Sequence, residues 1–231
     1  MRKLAIFVEG HTELLFIDRL LTEIAGANNV LIEQRQIMGG ASVPRTTTII
    51  RATKAVTDQK YYVLLIDCGG DHQVKTRILE EHEGLTKAGY SKIIGLRDVR
   101  PTFTHADIPF LSMQLRKYIK TSLIPVEIIL AVMEIEAWFL AEVSHFPKIE
   151  PSITVTAISS NLGFNPELDD MTLRLAPAED ISSAYLLGAK TYQKPARSTV
   201  DNLNYLEMYV ELSKKIPQLK SLVDGIDSFL I

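Results

Sequence analysis

The chain has 231 residues, 46% of them hydrophobic and 23% charged, with a formal net charge of −3. A chain of this length buries roughly 70% of its unfolded surface, enough for one full core, and this balance excludes a disordered chain and a generic basic nucleic-acid coat protein. One cysteine excludes an internal disulfide and a cysteine-based zinc cluster, and aromatics at 7% argue against a base-stacking platform for single strands.

Residues 3–8 form a short apolar run that ends at Glu9-Gly10. It is too short for the apolar core of a signal peptide, and no run approaches the roughly 20 residues of a membrane span, so a cytoplasmic protein with no membrane partner is expected. The run reads as a first strand. From His11 to Ala25 the period changes: Leu14, Ile17, Leu21 and Ile24 predict an amphipathic helix, with Thr12 able to cap its start. A second strand is expected over 30–37, and the punctuation Gly39-Gly40 and Pro44 opens a helix near 45–57. Tyr61-Tyr62-Val63-Leu64-Leu65-Ile66, ended by Asp67, reads as a central strand buried on both faces. After Gly69-Gly70 come a helix over 72–88, a strand at Ile93–Leu96, a helix near 107–122, a strand over Val126–Val132 and a helix over Glu134–Glu142.

This alternation predicts an α/β fold, with a mostly parallel sheet flanked by helices and ligands bound beyond the carboxyl ends of the strands. Beyond Pro147 the alternation stops, and Pro151, Pro166, Pro177 and Pro195 separate short helical pieces; 201–231 reads as two helices split at Pro217. The expected organisation is an α/β domain over 1–147 and a C-terminal helical subdomain over 148–231 packed on it.

Ten of the 25 basic residues lie in three stretches that contain no acid. These are 34–57 (Arg35, Arg45, Arg51, Lys54), 108–126 (Arg116, Lys117, Lys120) and 181–200 (Lys190, Lys194, Arg197). Brought together they form a phosphate-binding surface; apart, they are three solvated faces.

The acids are placed differently. The first strand ends at Glu9, with Glu13 one helical turn on; the third ends at Asp67, with Asp71 after the glycines; the fifth runs into Glu134 and Glu136. In a parallel sheet these ends share one edge, where carboxylates repel unless a cation neutralises them, and hard oxygen donors suit Mg2+ or Mn2+. Each acid alone also fits a plainer role: a loop acid at Glu9, turn residues at Asp67 and Asp71, a helix N-terminal charge at Glu134.

The segment Phe7-Val8-Glu9-Gly10-His11-Thr12-Glu13 resembles the Val-Glu-Gly-x-x-Glu signature of Toprim domains, especially those of overcoming-lysogenization-defect-type nucleases. Leu64-Leu65-Ile66-Asp67 is similar to the aspartate strand of that domain, and Met133-Glu134-Ile135-Glu136-Ala137-Trp138-Phe139-Leu140 to the Glu-x-Glu-Ala segment of a bacterial Toprim-like family of unknown function. Pro177 and Tyr192-Gln193-Lys194 follow in that family's order, so the resemblance spans about residues 3–198. It implies a Toprim-like sheet in which Glu9 is an acid/base group or metal ligand. Glu13 matches the second glutamate of the nuclease variant, and Asp67 the first acid of an Asp-x-Asp pair. Gly69 stands where the second acid belongs, so Asp71, Glu134 or Glu136 has to replace it.

The expected activity is Mg2+- or Mn2+-dependent phosphodiester hydrolysis of DNA or RNA, with Glu9, Asp67 and Lys194 catalytic. Arg45, Lys190, Tyr192, Lys194 and Arg197 are the candidates for holding the nucleic-acid backbone. An ATPase partner and a role as effector in antiviral defence are implied by the resemblance. A catalytically weak module that binds an ATPase or nucleic acid is the alternative, and a phosphotransfer receiver-like domain, from Asp67 ending a central strand, a more distant one. Arg97-Asp98-Val99-Arg100 reads as a structural ion pair or a cation at the same edge. Cys68 and Trp138 read as buried residues, and the five histidines as dispersed.

Overall fold

The computed structural model describes residues 1–39, 43–54, 59–70 and 72–231. Six strands form one sheet: β1 (Arg2–Val8), β2 (Val30–Met38), β3 (Thr46–Ala52), β4 (Tyr61–Asp67), β5 (Lys92–Asp98) and β6 (Val126–Ala131), in the order β3-β2-β4-β1-β5-β6. β1 lies between β4 and β5 and is parallel to both; β4 is parallel to β2, and β3 pairs antiparallel with β2. Leu4–Val8 and Val63–Asp67 are buried without a break, as two-sided cover requires.

The cover follows from the connections. From β1 the chain passes through α1 (His11–Ala25) outward to β2, and from β4 it passes through α2 (Gln73–Lys87) back across β1 to β5. Right-handed crossovers that run in opposite directions put their helices on opposite faces. Ala5, Phe7, Leu64, Ile66 and Ile93 share one core with Val74, Ile78 and Leu85 of α2. The alternate residues Leu4, Ile6, Val63 and Leu65 face the other way, on the side of Leu14, Ile17 and Leu21 of α1, and all are buried. β1 and β4 are therefore neighbouring strands whose helices leave to opposite sides, which is the topological switch point of such a sheet. Its crevice opens beyond Val8 and Asp67, which are paired in register.

The chain divides into two compact units. One holds Met1–Arg97, Phe110–Leu130 and Asp224–Ile231; the other holds Asp98–Pro109 and Ala131–Val223. The first includes most of α3 (Ile108–Arg116) and the end of the C-terminal helix Pro217–Leu230. There the Tyr61 hydroxyl donates to the Leu230 carbonyl, and the Tyr61 and Phe229 rings lie 5.4 Å apart. The second unit contains α4 (Glu136–Ala141), α5 (Phe146–Ile149), α6 (Val155–Leu162), α7 (Pro177–Leu186) and α8 (Arg197–Asn202). Trp138, Phe139 and Leu140 of α4 are fully buried and form its core with Phe146, Ile153 and Ile181. Among the described residues no helix is long and apolar enough to cross a membrane.

Four expectations need correction. The segment expected as a helix near 45–57 is an antiparallel edge strand, β3, over its described part; residues 55–58 lie outside the described residues. Thr46-Thr47-Thr48-Ile49-Ile50 is a β-branched run, and restricted χ1 angles favour the pleated strand over the helix. α3 ends at Arg116, short of residue 122, and Tyr118 just beyond it takes a positive φ of 67° that a helix cannot continue. α1 begins at His11 with Gly10 as its N-cap and no capping side chain; Thr12 is buried inside the first turn. The helix expected from Glu134 starts at Glu136, because Met133 adopts a φ of 59° that turns the chain first.

Candidate acidic site and basic segment

The turn after β4 is stitched to the end of β1. The Cys68 N–H donates to the Val8 carbonyl at 2.9 Å, and the Gly70 N–H donates to the Glu9 carbonyl at 2.9 Å. These bonds set Glu9 beside the Asp67–Gly70 turn. The turn itself needs a left-handed residue: Gly69 has φ +75°, and a Cβ there would stand 3.0 Å from the Ile37 carbonyl oxygen.

Asp67 points to the α1 side of the sheet and is 2% exposed. Its Oδ1 accepts from the Gly69 N–H at 2.9 Å, and its Oδ2 accepts from Gln36 Nε2 at 3.2 Å. His11 Nδ1, on the first residue of α1, lies 3.8 Å from Oδ2. Glu13 is buried one turn into α1, with Oε2 packed over Gly10 at 3.3 Å from where a Cβ would stand. Glu9 is half-buried, and Asp71 lies outside the described residues.

Burial pushes the Cys68 thiol well up, Asp67 and Glu9 push it further, and only Arg77 opposes them. The thiol is therefore held protonated, which removes Cys68 as a nucleophile. Arg77 was not legible as part of this region. It sits on the buried face of α2, three residues after Val74, with Nη2 donating to the Gly39 carbonyl at 2.8 Å and Nη1 to Glu80 at 3.2 Å. Gln36 was missed as well; its signal is the strand register that sets it opposite Asp67.

The remaining sequence candidates fall in the second unit, apart from Arg45, which pairs with Glu80 in the first. Glu134 Oε2 accepts from the Ala178 N–H at 2.8 Å and lies 3.8 Å from Arg100. Burial raises the Glu134 carboxyl, and the opposing Ala178 N–H does not cancel it. Glu136 is fully buried; its Oε1 accepts from the Tyr192 hydroxyl at 2.6 Å and from Lys194 Nζ at 2.8 Å. Its Oε2 has no hydrogen-bond partner among the described residues. Asp98 accepts from the Ile135 N–H at 3.0 Å, and Arg100 pairs with Glu134 and Glu179, so the Asp–Arg motif after β5 ties down the start of α4.

The pairing of Glu136 with Tyr192 and Lys194 joins residues more than 50 positions apart, two of the motifs singled out in the sequence. Beside them is a cavity of about 410 Å³ lined by Tyr185, Lys190, Tyr192, Gln193, Ser198 and Thr199, among others. Lys190 pairs with Glu150 at 3.3 Å, and Arg197 opens α8 on the surface. In the wall of the cavity the Tyr185 hydroxyl shares a hydrogen bond with Thr199, and burial pushes that phenol up to about 12.

Among the described residues no three His, Cys, Asp or Glu side chains lie together as a metal-holding group. Glu9, Glu13 and Asp67 are hard oxygen donors but form no closed protein cage; a metal resting on one or two of them would have to complete its shell with water and substrate phosphates, as Mg2+ does. Compared with family models, curated proteins and solved structures, the chain matches none of them.

Proposed function

We propose that the chain is a Mg2+- or Mn2+-dependent phosphodiesterase acting on DNA or RNA, with its centre at the ends of β1 and β4. One observation carries this reading: Glu9 and Asp67 close two adjacent parallel strands at the switch point and are tied together by the Cys68–Val8 and Gly70–Glu9 backbone hydrogen bonds. A bound metal would supply polarisation of the phosphate and a lowered pKa for attacking water. Glu9 and Asp67 would hold it, with Glu13 as the further carboxylate. Gln36 and the Gly69 N–H fix the Asp67 carboxylate, leaving each of its oxygens a free lone pair. Glu9 would also serve as the general base. Arg45, Lys190, Lys194 and Arg197 supply phosphate contacts, and Tyr192 orients Lys194 through their shared partner Glu136. A partner ATPase and a role in antiviral defence rest on the Toprim-type resemblance.

A binding module without catalysis is the second reading. It is favoured by Glu136, whose charge is balanced within the protein by Lys194, with a hydrogen bond from Tyr192, rather than kept for a metal. The two separate in one assay: cleavage of mixed DNA and RNA in Mn2+, for the wild type and Glu9→Gln. The phosphodiesterase reading expects Mn2+-dependent cleavage that Glu9→Gln abolishes while melting unchanged or higher, since one of several clustered like charges is gone. Equal activity in both proteins, or an unfolded Glu9→Gln, contradicts it; no cleavage under any condition favours the binding module.

A further inference from the structure

We infer that the exposed surface formed by the end of α3 and the first turn of α2 binds a single strand of nucleic acid, with Tyr118 as the platform for a base and Arg116 and Lys117 as phosphate contacts. This rests on the reading of the chain as a protein that acts on nucleic acid, and narrows it to unpaired strands. The chain is poor in aromatics, but they are unevenly placed. Of eight phenylalanines, eight tyrosines and one tryptophan, only Phe110 and Tyr118 are exposed among the described residues, at 53% and 82%. Both fall in the stretch 108–126, which contains no acid.

One carbonyl gathers the cations. Gln114, near the end of α3, accepts from the Lys117 N–H at 3.3 Å and from Lys75 Nζ of α2. Lys75 Nζ in turn lies 5.5 Å from the centre of the Tyr118 ring. One face of that ring therefore carries a cation, and its exposure leaves the rest open to a base, which stacks on an aromatic whatever its identity. Burial holds the Lys75 ammonium below its ordinary value, and the Lys117 charge lowers it further. Two like charges stand together with no acid to offset them, a repulsion that a phosphate relieves. Among the described residues no acid pairs with Lys75, Arg116 or Lys117, while Glu80 and Glu83 of α2 are already taken by Arg45 and Lys120.

The occupant follows from bare rings set among unpaired cations. A single strand offers both a phosphate at every nucleotide and bases with open faces; a duplex offers the phosphates but keeps its bases stacked inside. An anionic membrane would answer the charge but needs apolar area to hold an interfacial helix, and α3 exposes only Phe110 and Met113 as large apolar side chains over nine residues. Position argues the same way. α2 leaves the Asp67–Gly70 turn, whose Gly70 N–H is bonded to the Glu9 carbonyl, so Lys75 in its first turn stands at the same edge of the sheet as Glu9 and Asp67. A strand held here lies beside the switch point.

The test uses the full chain, with Ca2+ and again with EDTA, and fluorescence anisotropy of labelled single-stranded DNA, single-stranded RNA and duplex DNA of about 12 nucleotides. The wild type is expected to bind one or both single strands more tightly than the duplex. Tyr118→Asn, a residue that suits the φ of 67° at this position, should weaken single-strand binding about tenfold, leave duplex binding alone and melt as the wild type does. Tyr118→Phe keeps the ring and should keep the affinity. Arg116→Ala and Lys117→Ala should each lower the slope of log affinity against log salt by about 0.7. Vesicles of phosphatidylcholine and phosphatidylserine should not sediment the chain. Single-strand affinity that ignores Tyr118→Asn, a Tyr118→Phe as weak as Tyr118→Asn, unchanged salt slopes, or vesicle binding that Tyr118→Asn abolishes overturns this surface and leaves the phosphodiesterase reading standing. A wild type that binds no nucleic acid overturns both.

Discussion

Glu136 shows how a buried charge is made tolerable. Its carboxylate is fully enclosed, yet Lys194 and Tyr192 both reach one oxygen. Removing one partner leaves the other charge stranded, which costs more than the pair contributes. Lys194 is 48% exposed, so solvent screens part of the loss. Lys194→Ala should destabilise by about 1–3 kcal/mol, and adding Glu136→Gln should recover most of it; urea unfolding of the three proteins measures both. If Lys194→Ala alone were neutral, the pair would not be a structural tie. Glu142 gives a second residue-scale prediction. Burial would raise its carboxyl, but His145, 3.7 Å away, and the N–H groups of Ser144 and Asn204 together hold it below its ordinary value of 4.5. A depressed folded-state pKa contributes stability that is present above the unfolded value and lost as pH falls through the folded one. Glu142 should therefore add a loss of melting temperature below about pH 4.5 that Glu142→Gln removes, read from melting curves across that range.

At the scale of elements, the packing of α2 on the sheet depends on one missing side chain. Gly95 of β5 lies under the helix, where a Cβ would stand 2.8 Å from Ile78 Cδ1, 3.2 Å from Val74 and 3.3 Å from Ile128. Gly95→Ala should cost about 1–3 kcal/mol by overpacking. Ile78→Val removes the nearest atom, so the double variant should be more stable than additivity of the two single changes predicts. Denaturant melts of the four-member cycle give the coupling, and strict additivity would contradict the contact. Much of this layer was legible: the apolar runs of β1 and β4 and the change of period at His11 identify strands and a helix directly. β3 is not legible from the Gly39-Gly40 and Pro44 punctuation, which points to a helix, because the five β-branched residues Thr46–Ile50 that follow carry the stronger local preference. The same logic reaches the site. The acids at Glu9 and Asp67 were visible because strand ends are visible, whereas Gln36 and Arg77 depend on register and on which side of α2 meets the sheet. Neither can be read from one strand or helix alone.

For the whole molecule, strand order decides what the site is. A parallel sheet guarantees that β1 and β4 end on one edge, but only the order β2-β4-β1-β5 makes them neighbours with helices leaving to opposite faces. That order was not in the sequence, which predicted the sheet and left its permutation open. The division into units was equally hidden, because Asp98–Pro109 and Asp224–Ile231 each join a body remote in sequence. The proposed chemistry also has a global signature. With Lys194 as a phosphate contact, Lys194→Ala should lower the slope of log affinity against log salt by about one while leaving sequence preference alone; binding measured from low to high salt reads it, and an unchanged slope would remove Lys194 from the interface. In the proposed chemistry Glu9 and Asp67 together take a divalent metal, and anomalous diffraction from crystals of the chain grown with Mn2+ and a short nucleic acid tests this directly. A manganese peak is expected within coordination distance of both carboxylates, at the ends of β1 and β4. Manganese bound elsewhere, or a metal-free edge beside ordered nucleic acid, would contradict it.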